Sequence, residues 1–235
     1  PQAEYAGSFY AGTGLYLAAA IVLARIPDST PAVQVDPTPP RRLGVIAAQP
    51  VFRVAVLAAL VSYTVMSFIM TATPISMHVV DGHDAVATAR VIQVHLLGMY
   101  LPSLASGWII ARFGDGPVIV AGTLLMAGCV AIATLAGHAV LHYGWALGVL
   151  GLGWNLLFIA ATTMLTRTYR ARERIQAQTL NDFLVFGAQA VASLLAGLAV
   201  TTLGWERLNL ATLPLLAAVV VAMAMLSRRP ALAPG

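Results

Sequence analysis

The sequence predicts an all-α, polytopic membrane protein with seven transmembrane helices. Three observations carry this. Hydrophobic residues make up 59% of the 235-residue chain and charged residues only 9%, against about 45–50% and about 25% in soluble domains. Mean hydropathy is +0.83. The apolar residues fall into seven runs, each near the ~20 residues a spanning helix needs. So few charges cannot cover a soluble globule, and so much apolar surface excludes a disordered chain. The runs also lack the ten-residue alternation of a transmembrane β-barrel.

In chain order the runs cover residues 8–26, 52–77, 86–111, 118–136, 143–165, 180–203 and 208–226. Between the first two lies the one polar, proline-rich stretch, residues 27–50, with five prolines before Arg41. It is expected to be a linker, with Leu43–Ala48 as an interfacial helix. The chain thus divides into a single helix (1–26), a linker (27–50) and a six-helix unit (51–235). The start at Pro1, with no basic n-region or A-x-A site, suggests a piece of something longer.

The charges give a sidedness. All thirteen basic residues are arginine, and alternate sides of the seven runs receive eleven and two of them. The rich side holds Arg25, Arg41, Arg42, Arg53, Arg112, Arg167, Arg170, Arg172, Arg174, Arg228 and Arg229; the poor side holds Arg90 and Arg207. Positively charged loops stay in the cytoplasm, so the N-terminus is expected outside and the C-terminus inside, in a bacterial inner membrane. The basic pI of 9.7 is then a topological signal toward the bilayer rather than a nucleic-acid surface.

Several chemistries are excluded by composition. Without lysine there is no Schiff base, no retinal attachment and no P-loop. The single cysteine, Cys129, permits no intrachain disulfide and reads as a packing residue. His78, Asp81, His83 and Asp84 match no metal-ligand spacing. No cofactor or metal is expected, nor an enzyme's paired His/acid or Cys/His site.

Polar residues inside the apolar runs are the candidate functional groups. His95 lies about two turns into the third run; it suits proton or substrate binding, or a hydrogen bond to a neighbouring helix. Pro102, on the same face, predicts a kink that frees backbone carbonyls. Asn155, beside Trp154 at the middle of the fifth run, suits an organic substrate or interhelical bonding. Arg90 either snorkels outward or attracts an anion. Gln189 and the Tyr63, Ser67, Thr71 stripe at i, i+4, i+8 face a possible cavity. Asp182 is the one acid that a run could embed, as a proton site or an interfacial partner for a loop arginine. Small-residue pairs Ser103/Gly107, Gly144/Gly148 and Ser193/Gly197 suggest close helix contacts.

Two stretches resemble a known family. GWIIARFGDG, residues 107–116, is similar to the G-x-x-x-D-R-x-G-R-R signature of the major facilitator superfamily (MFS), matching at Gly107, Arg112 and Gly114, with Ala111 and Asp115-Gly116 departing from it. RIQAQTLND, from residue 174, resembles the R-x-x-A-x-x-x-N start of that family's eleventh helix at Arg174, Ala177 and Asn181. In register with the topology, the resemblance makes the first run helix six, the linker the central cytoplasmic loop, and the rest helices seven to twelve. It implies an MFS-type half-bundle of two inverted three-helix repeats. Gly107, Arg112, Gly114, Arg174 and Asn181 would belong to gating loops. The implied function is alternating-access transport of a small organic solute, driven by a proton gradient. The missing N-terminal half would be a partner. The alternative is a self-contained seven-helix receptor or sensor.

Overall fold

The computed structural model describes residues 6–26 and 38–228, and all regular structure among them is helical. The proline-rich residues 27–37, Glu4 and Arg229 lie outside the described residues. The chain forms two compact units, 1–39 and 40–235. In the first, α1 (Ala6–Ala24) is one apolar helix. Its apolar stretch, Phe9–Ala24, is shorter than the spans of the second unit.

The second unit begins with α2 (Leu43–Ala48), the short helix expected before the bundle. α3 (Pro50–Pro74) starts with proline at its first turn, where a missing N–H costs nothing. It continues as one π-helical segment, Ile75–Val80. α4 (Ala85–Tyr100) is capped by Asp84, whose side chain accepts from the Ala87 N–H. α5 (Ser103–Phe113) follows after a 40° bend at Pro102. Proline cannot donate to the Gly98 carbonyl one turn earlier, so the third apolar run is a broken span. α6 (Asp115–Leu135), α7 (Val140–Thr166) and α8 (Arg174–Leu203) are continuous. The last run, expected as one helix, is a short α9 (Trp205–Leu210) and then α10 (Leu213–Ser227). Pro214 at the start of α10 removes the N–H that would bond Leu210. Among the described residues, five spans, or six with the bent pair α4–α5, are long and apolar enough to cross a bilayer.

α7 is the centre of the packing, against α3, α4 and α6, while α3 also packs on α8 and α10. In lipid, helices associate by close packing rather than by hydrophobic exclusion. Two glycine seams supply that closeness. A Cβ on Gly98 would lie 2.6 Å from the Gly148 carbonyl oxygen, and one on Gly151 would lie 2.5 Å from the His95 carbonyl oxygen. On the other side of α7, a Cβ on Gly122 would lie 2.5 Å from the Leu157 nitrogen, and one on Gly153 would lie 2.8 Å from Met126. Gly151 and Gly153 stand two residues apart, about 200° around the helix, so one faces α4 and the other α6. Of the small-residue pairs expected from sequence, only Gly148 takes part. Gly107 and Gly144 face open space, and Gly197 has an ordinary contact with Ile75. Cys129 is wholly buried, as a packing residue should be.

Gly98→Ala is therefore expected to destabilise the bundle by about 1–3 kcal/mol, because the clash is with backbone that cannot move aside. Unfolding of the purified protein in detergent would measure it. An unchanged midpoint would show that the seam can open without cost.

Both ends of the bundle are tied by polar groups. At one end, Arg167 Nη1 lies 3.1 Å from Asp115 Oδ2, joining α7 to α6. There Arg41 also binds Glu173, and Gln49 Nε2 donates to the Thr168 carbonyl at 2.9 Å. At the other end, His138 bridges Asp81 Oδ2 at 2.8 Å and Glu206 Oε1 at 2.6 Å. Tyr143 donates to the same Asp81 oxygen at 2.7 Å and shares a 2.6 Å bond with Ser76. The His83 ring bonds the His138 carbonyl oxygen. This knot joins the end of α3, the α6–α7 loop, α7 and α9.

The carboxylates of Glu206 and then Asp81 raise the pKa of His138 above its ordinary value. A raised value means that the contribution to stability is fully present below the unfolded pKa, about 6.5. It is lost as pH climbs through the higher folded value. Thermal stability should fall from pH 6 toward pH 8, about the range in which histidines titrate, and His138→Gln should flatten that slope. The effect is modest and salt-sensitive, since the His138 and Glu206 side chains are 37% and 45% exposed. A slope of equal size in His138→Gln would assign it elsewhere.

Candidate substrate site

The sequence-predicted polar groups separate into two sets. His95 and Asn155 lie in the α4–α7 seam. His95 is fully buried, and its Nδ1 is 2.9 Å from the Leu147 carbonyl oxygen. Asn155 Nδ2 donates to the Met99 carbonyl at 2.6 Å and to Ser103 Oγ at 2.7 Å. Asn155 thus satisfies backbone at the Pro102 break, on the helix opposite. Both amides and imidazoles of this kind hold helices together where water cannot.

Trp154 and Tyr63 belong to a different place. They meet Phe158 and Phe186 in an aromatic cluster between α3, α7 and α8. Tyr63 is the hub, edge-on to Trp154 at 5.1 Å, to Phe158 at 4.8 Å and to Phe186 at 5.5 Å between ring centroids. Trp154 and Phe158 stack at 5.3 Å with planes 13° apart. Trp154 stands at the middle of α7, so the cluster sits at the middle of that span. Tyr63 and Phe158 are half-buried and Phe186 is 51% exposed, so these three rings form a partly open wall, with Trp154, 6% exposed, buried behind them. Aromatic faces of this kind favour stacking with another planar π-system.

Phe158 and Phe186 carry no signal of their own in an apolar run. The signal was spacing: Trp154, Phe158, Thr162 and Thr166 recur every four residues, one stripe down α7. Below the rings the stripe becomes polar. Thr162, Thr163, Thr166, Gln178, Asn181 and Asp182 line a recess of about 360 Å³ between α7 and the first turns of α8. Asp182 is exposed here and accepts from Asn181 Nδ2 at 3.0 Å.

The remaining candidates are dispersed. Arg90 is exposed on α4, and Gln189 is half-buried on α8. Ser67 is buried and Thr71 exposed, so the α3 stripe does not face one environment. Gly107 and Arg112 are exposed, the Arg112 guanidinium standing 5.6 Å from the Phe113 ring centre. Gly114 takes φ +84°, which lets the chain turn directly from α5 into α6. Arg174 Nε donates to Gln178 Oε1 at 3.3 Å. Glu173, fully buried and bound to Arg41, was not singled out by sequence.

These spans define a polytopic helical membrane protein. The chain is 41% identical to the riboflavin transporter RfnT of Brucella anthropi over 225 residues, covering 94% of this chain and 56% of that protein. It is 35% identical over 148 residues to the MFS-type transporter YdeG of Bacillus subtilis, and 34% identical over 139 residues to YddS of the same organism. These two matches cover 62% and 58% of this chain and 34% and 31% of those proteins. The chain belongs to the major facilitator superfamily. It spans about half the length of RfnT or less of each relative. No protein-family model and no solved structure matches it.

Proposed function

We propose that this chain is the C-terminal half of a secondary transporter of the bacterial inner membrane, and that its substrate is a planar aromatic solute of the riboflavin kind. The observation that carries the reading is the wall of Tyr63, Trp154, Phe158 and Phe186 at the middle of the bundle. Such faces can stack on a fused-ring solute with little loss of conformational freedom. The likeness to RfnT supports the same substrate class. Residues 40–228 would form one wall of the pathway and an N-terminal half the other, with the substrate exposed alternately to each side. The arginine bias supports a cytoplasmic C-terminus.

Proton coupling, in this reading, falls to Asp182 rather than to His95. Asp182 borders the open recess, while the His95 ring is enclosed between α4 and α7. Uptake of labelled riboflavin by a riboflavin-auxotrophic bacterium expressing the complete gene tests the substrate. Uptake above the empty-vector strain, lowered by a protonophore and by Asp182→Asn, is expected. No uptake removes the substrate assignment; uptake indifferent to the protonophore removes the coupling.

A further inference from the structure

The recess below the aromatic wall differs from it in chemistry, and the two lie on the same helical stripes. On α7 the stripe runs Trp154, Phe158, Thr162, Thr166; on α8 it runs Phe186, Asp182, Gln178. The helices follow one another through the turn at residues 167–173 and run in opposite directions across the bundle. Both stripes therefore pass from aromatic to polar toward the same end. At 1.5 Å per residue, Trp154 to Thr166 covers about 18 Å, the scale of a ring system with a side chain of several carbons.

The recess is rich in acceptors. Thr162 Oγ1 donates back to the Phe158 carbonyl at 3.0 Å, and Thr163 Oγ1 to the Ile159 carbonyl at 2.8 Å. Thr166 Oγ1 donates to the Thr163 carbonyl at 2.7 Å. With their protons committed, the three hydroxyl oxygens offer lone pairs only. Gln178 is engaged at both ends, Nε2 donating to the Tyr169 hydroxyl at 2.8 Å and Oε1 accepting from Arg174. Asp182 adds its carboxylate. Asn181 is 3% exposed, and its Oδ1 is buried with no hydrogen-bond partner among the described residues. A buried acceptor left unpaired is costly, so Asn181 depends on its neighbours, and its Nδ2 is committed to Asp182.

We propose that the aromatic wall and this recess form one two-part site, in which a fused ring lies against the wall and a polyhydroxylated chain donates into the recess. The proposal rests on the riboflavin reading and adds to it the orientation of the substrate and the residues that select for its chain. Hydroxyl groups of a sugar-alcohol chain supply donors for the lone pairs that Thr162, Thr166 and the exposed Asp182 carboxylate present to the recess. A site built to pair with hydroxyls discriminates against an analogue without them, because its acceptors then remain unpaired.

Riboflavin and lumiflavin, which carries a methyl group in place of the hydroxylated chain, are the two probes. Their fluorescence quenching is read with the transporter expressed from its complete gene and purified in detergent. Two variants serve: Thr162→Val, which keeps the side-chain shape, and Asp182→Leu. Each is expected to weaken riboflavin binding by about threefold to tenfold and to leave lumiflavin binding within about twofold of the starting protein. Retained lumiflavin binding also shows that the variants are folded. Equal weakening of both flavins by Thr162→Val, or no weakening of either by both variants, overturns the two-part site while leaving the riboflavin reading intact. Binding of neither flavin by the unsubstituted protein overturns the riboflavin reading, and the two-part site with it.

Discussion

Arg41→Ala is expected to destabilise the protein, because it leaves the Glu173 carboxylate without its main partner, although the guanidinium is itself 32% exposed and solvent screens part of the loss. Glu173 is wholly buried, and nearly all that compensates its charge comes from one residue. Its Oε1 accepts from the Arg41 backbone N–H at 2.7 Å and from Nε at 2.9 Å, and its Oε2 from Nη2 at 2.7 Å. The Arg170 backbone N–H adds one bond to Oε2 at 3.0 Å. Arg41 Nη2 also donates to the Thr168 carbonyl, and Gln176 Nε2 donates to the Arg41 carbonyl. The contact therefore clamps the segment before α2 onto the turn between α7 and α8. Glu173→Gln, which removes the charge but keeps the shape, should cost less than Arg41→Ala, because no buried charge is orphaned. The double variant Arg41→Met, Glu173→Met should recover part of the loss. Unfolding midpoints of the three variants decide the matter. Arg41→Ala within about 0.5 kcal/mol of the starting protein, the range of ordinary surface changes, would show that the carboxyl is neutral or that the segment releases it.

How much of this was legible in the sequence depends on whether a feature is local. The apolar runs set the spans, and Leu43–Ala48 is helical as expected from its composition. Pro102 broke its span for the reason it was suspected, since a missing N–H acts on its own helix. Pro214, which divides the last run, carries the same local signal. The contacts between helices were not legible. Gly98 is an isolated glycine on α4, and its meaning comes from Gly148 and Gly151, about fifty residues later in the sequence. Spacing within one helix pointed instead to Gly107 and Gly144, which face open space. Glu173 stands in an arginine-rich loop, where an acid looks solvated; its burial depends on Arg41, 132 residues away. In the site, Trp154 is legible as the neighbour of a mid-span Asn155, and Tyr63 as the first member of the Tyr63, Ser67, Thr71 stripe. Phe158 is legible only through its four-residue spacing with Trp154, and Phe186 not at all, because a phenylalanine facing lipid and one facing a substrate look alike until the helices are placed. Asn155 was found for its polarity, yet its partners, Met99 and Ser103, belong to the proline break on the neighbouring helix.

Trp154→Ala is expected to weaken flavin binding by about ten- to a hundredfold, from stacking energies of about 1–3 kcal/mol per aromatic contact. Unlike the recess variants, it should affect riboflavin and lumiflavin alike, because both present the same ring. Trp154 is the ring to choose, since it is stacked nearly parallel on Phe158 and held edge-on by Tyr63. It is 6% exposed and backs the half-buried Phe158 and Tyr63, so truncating it releases the rings that present the open faces. Trp154→Phe keeps a flat apolar face in the same place, so it should recover most of the affinity. Tyr63→Phe tests the other function of the cluster: the edge contacts remain and only the hydroxyl is lost, so binding should change by less than about threefold if shape alone matters. Titration of each purified variant with both flavins gives the three values. Equal affinity in Trp154→Ala and the starting protein would move the ring of the substrate away from α7, and the aromatic cluster would then be packing between α3, α7 and α8. A loss confined to riboflavin would place Trp154 against the chain rather than the ring, reversing the orientation along the stripe.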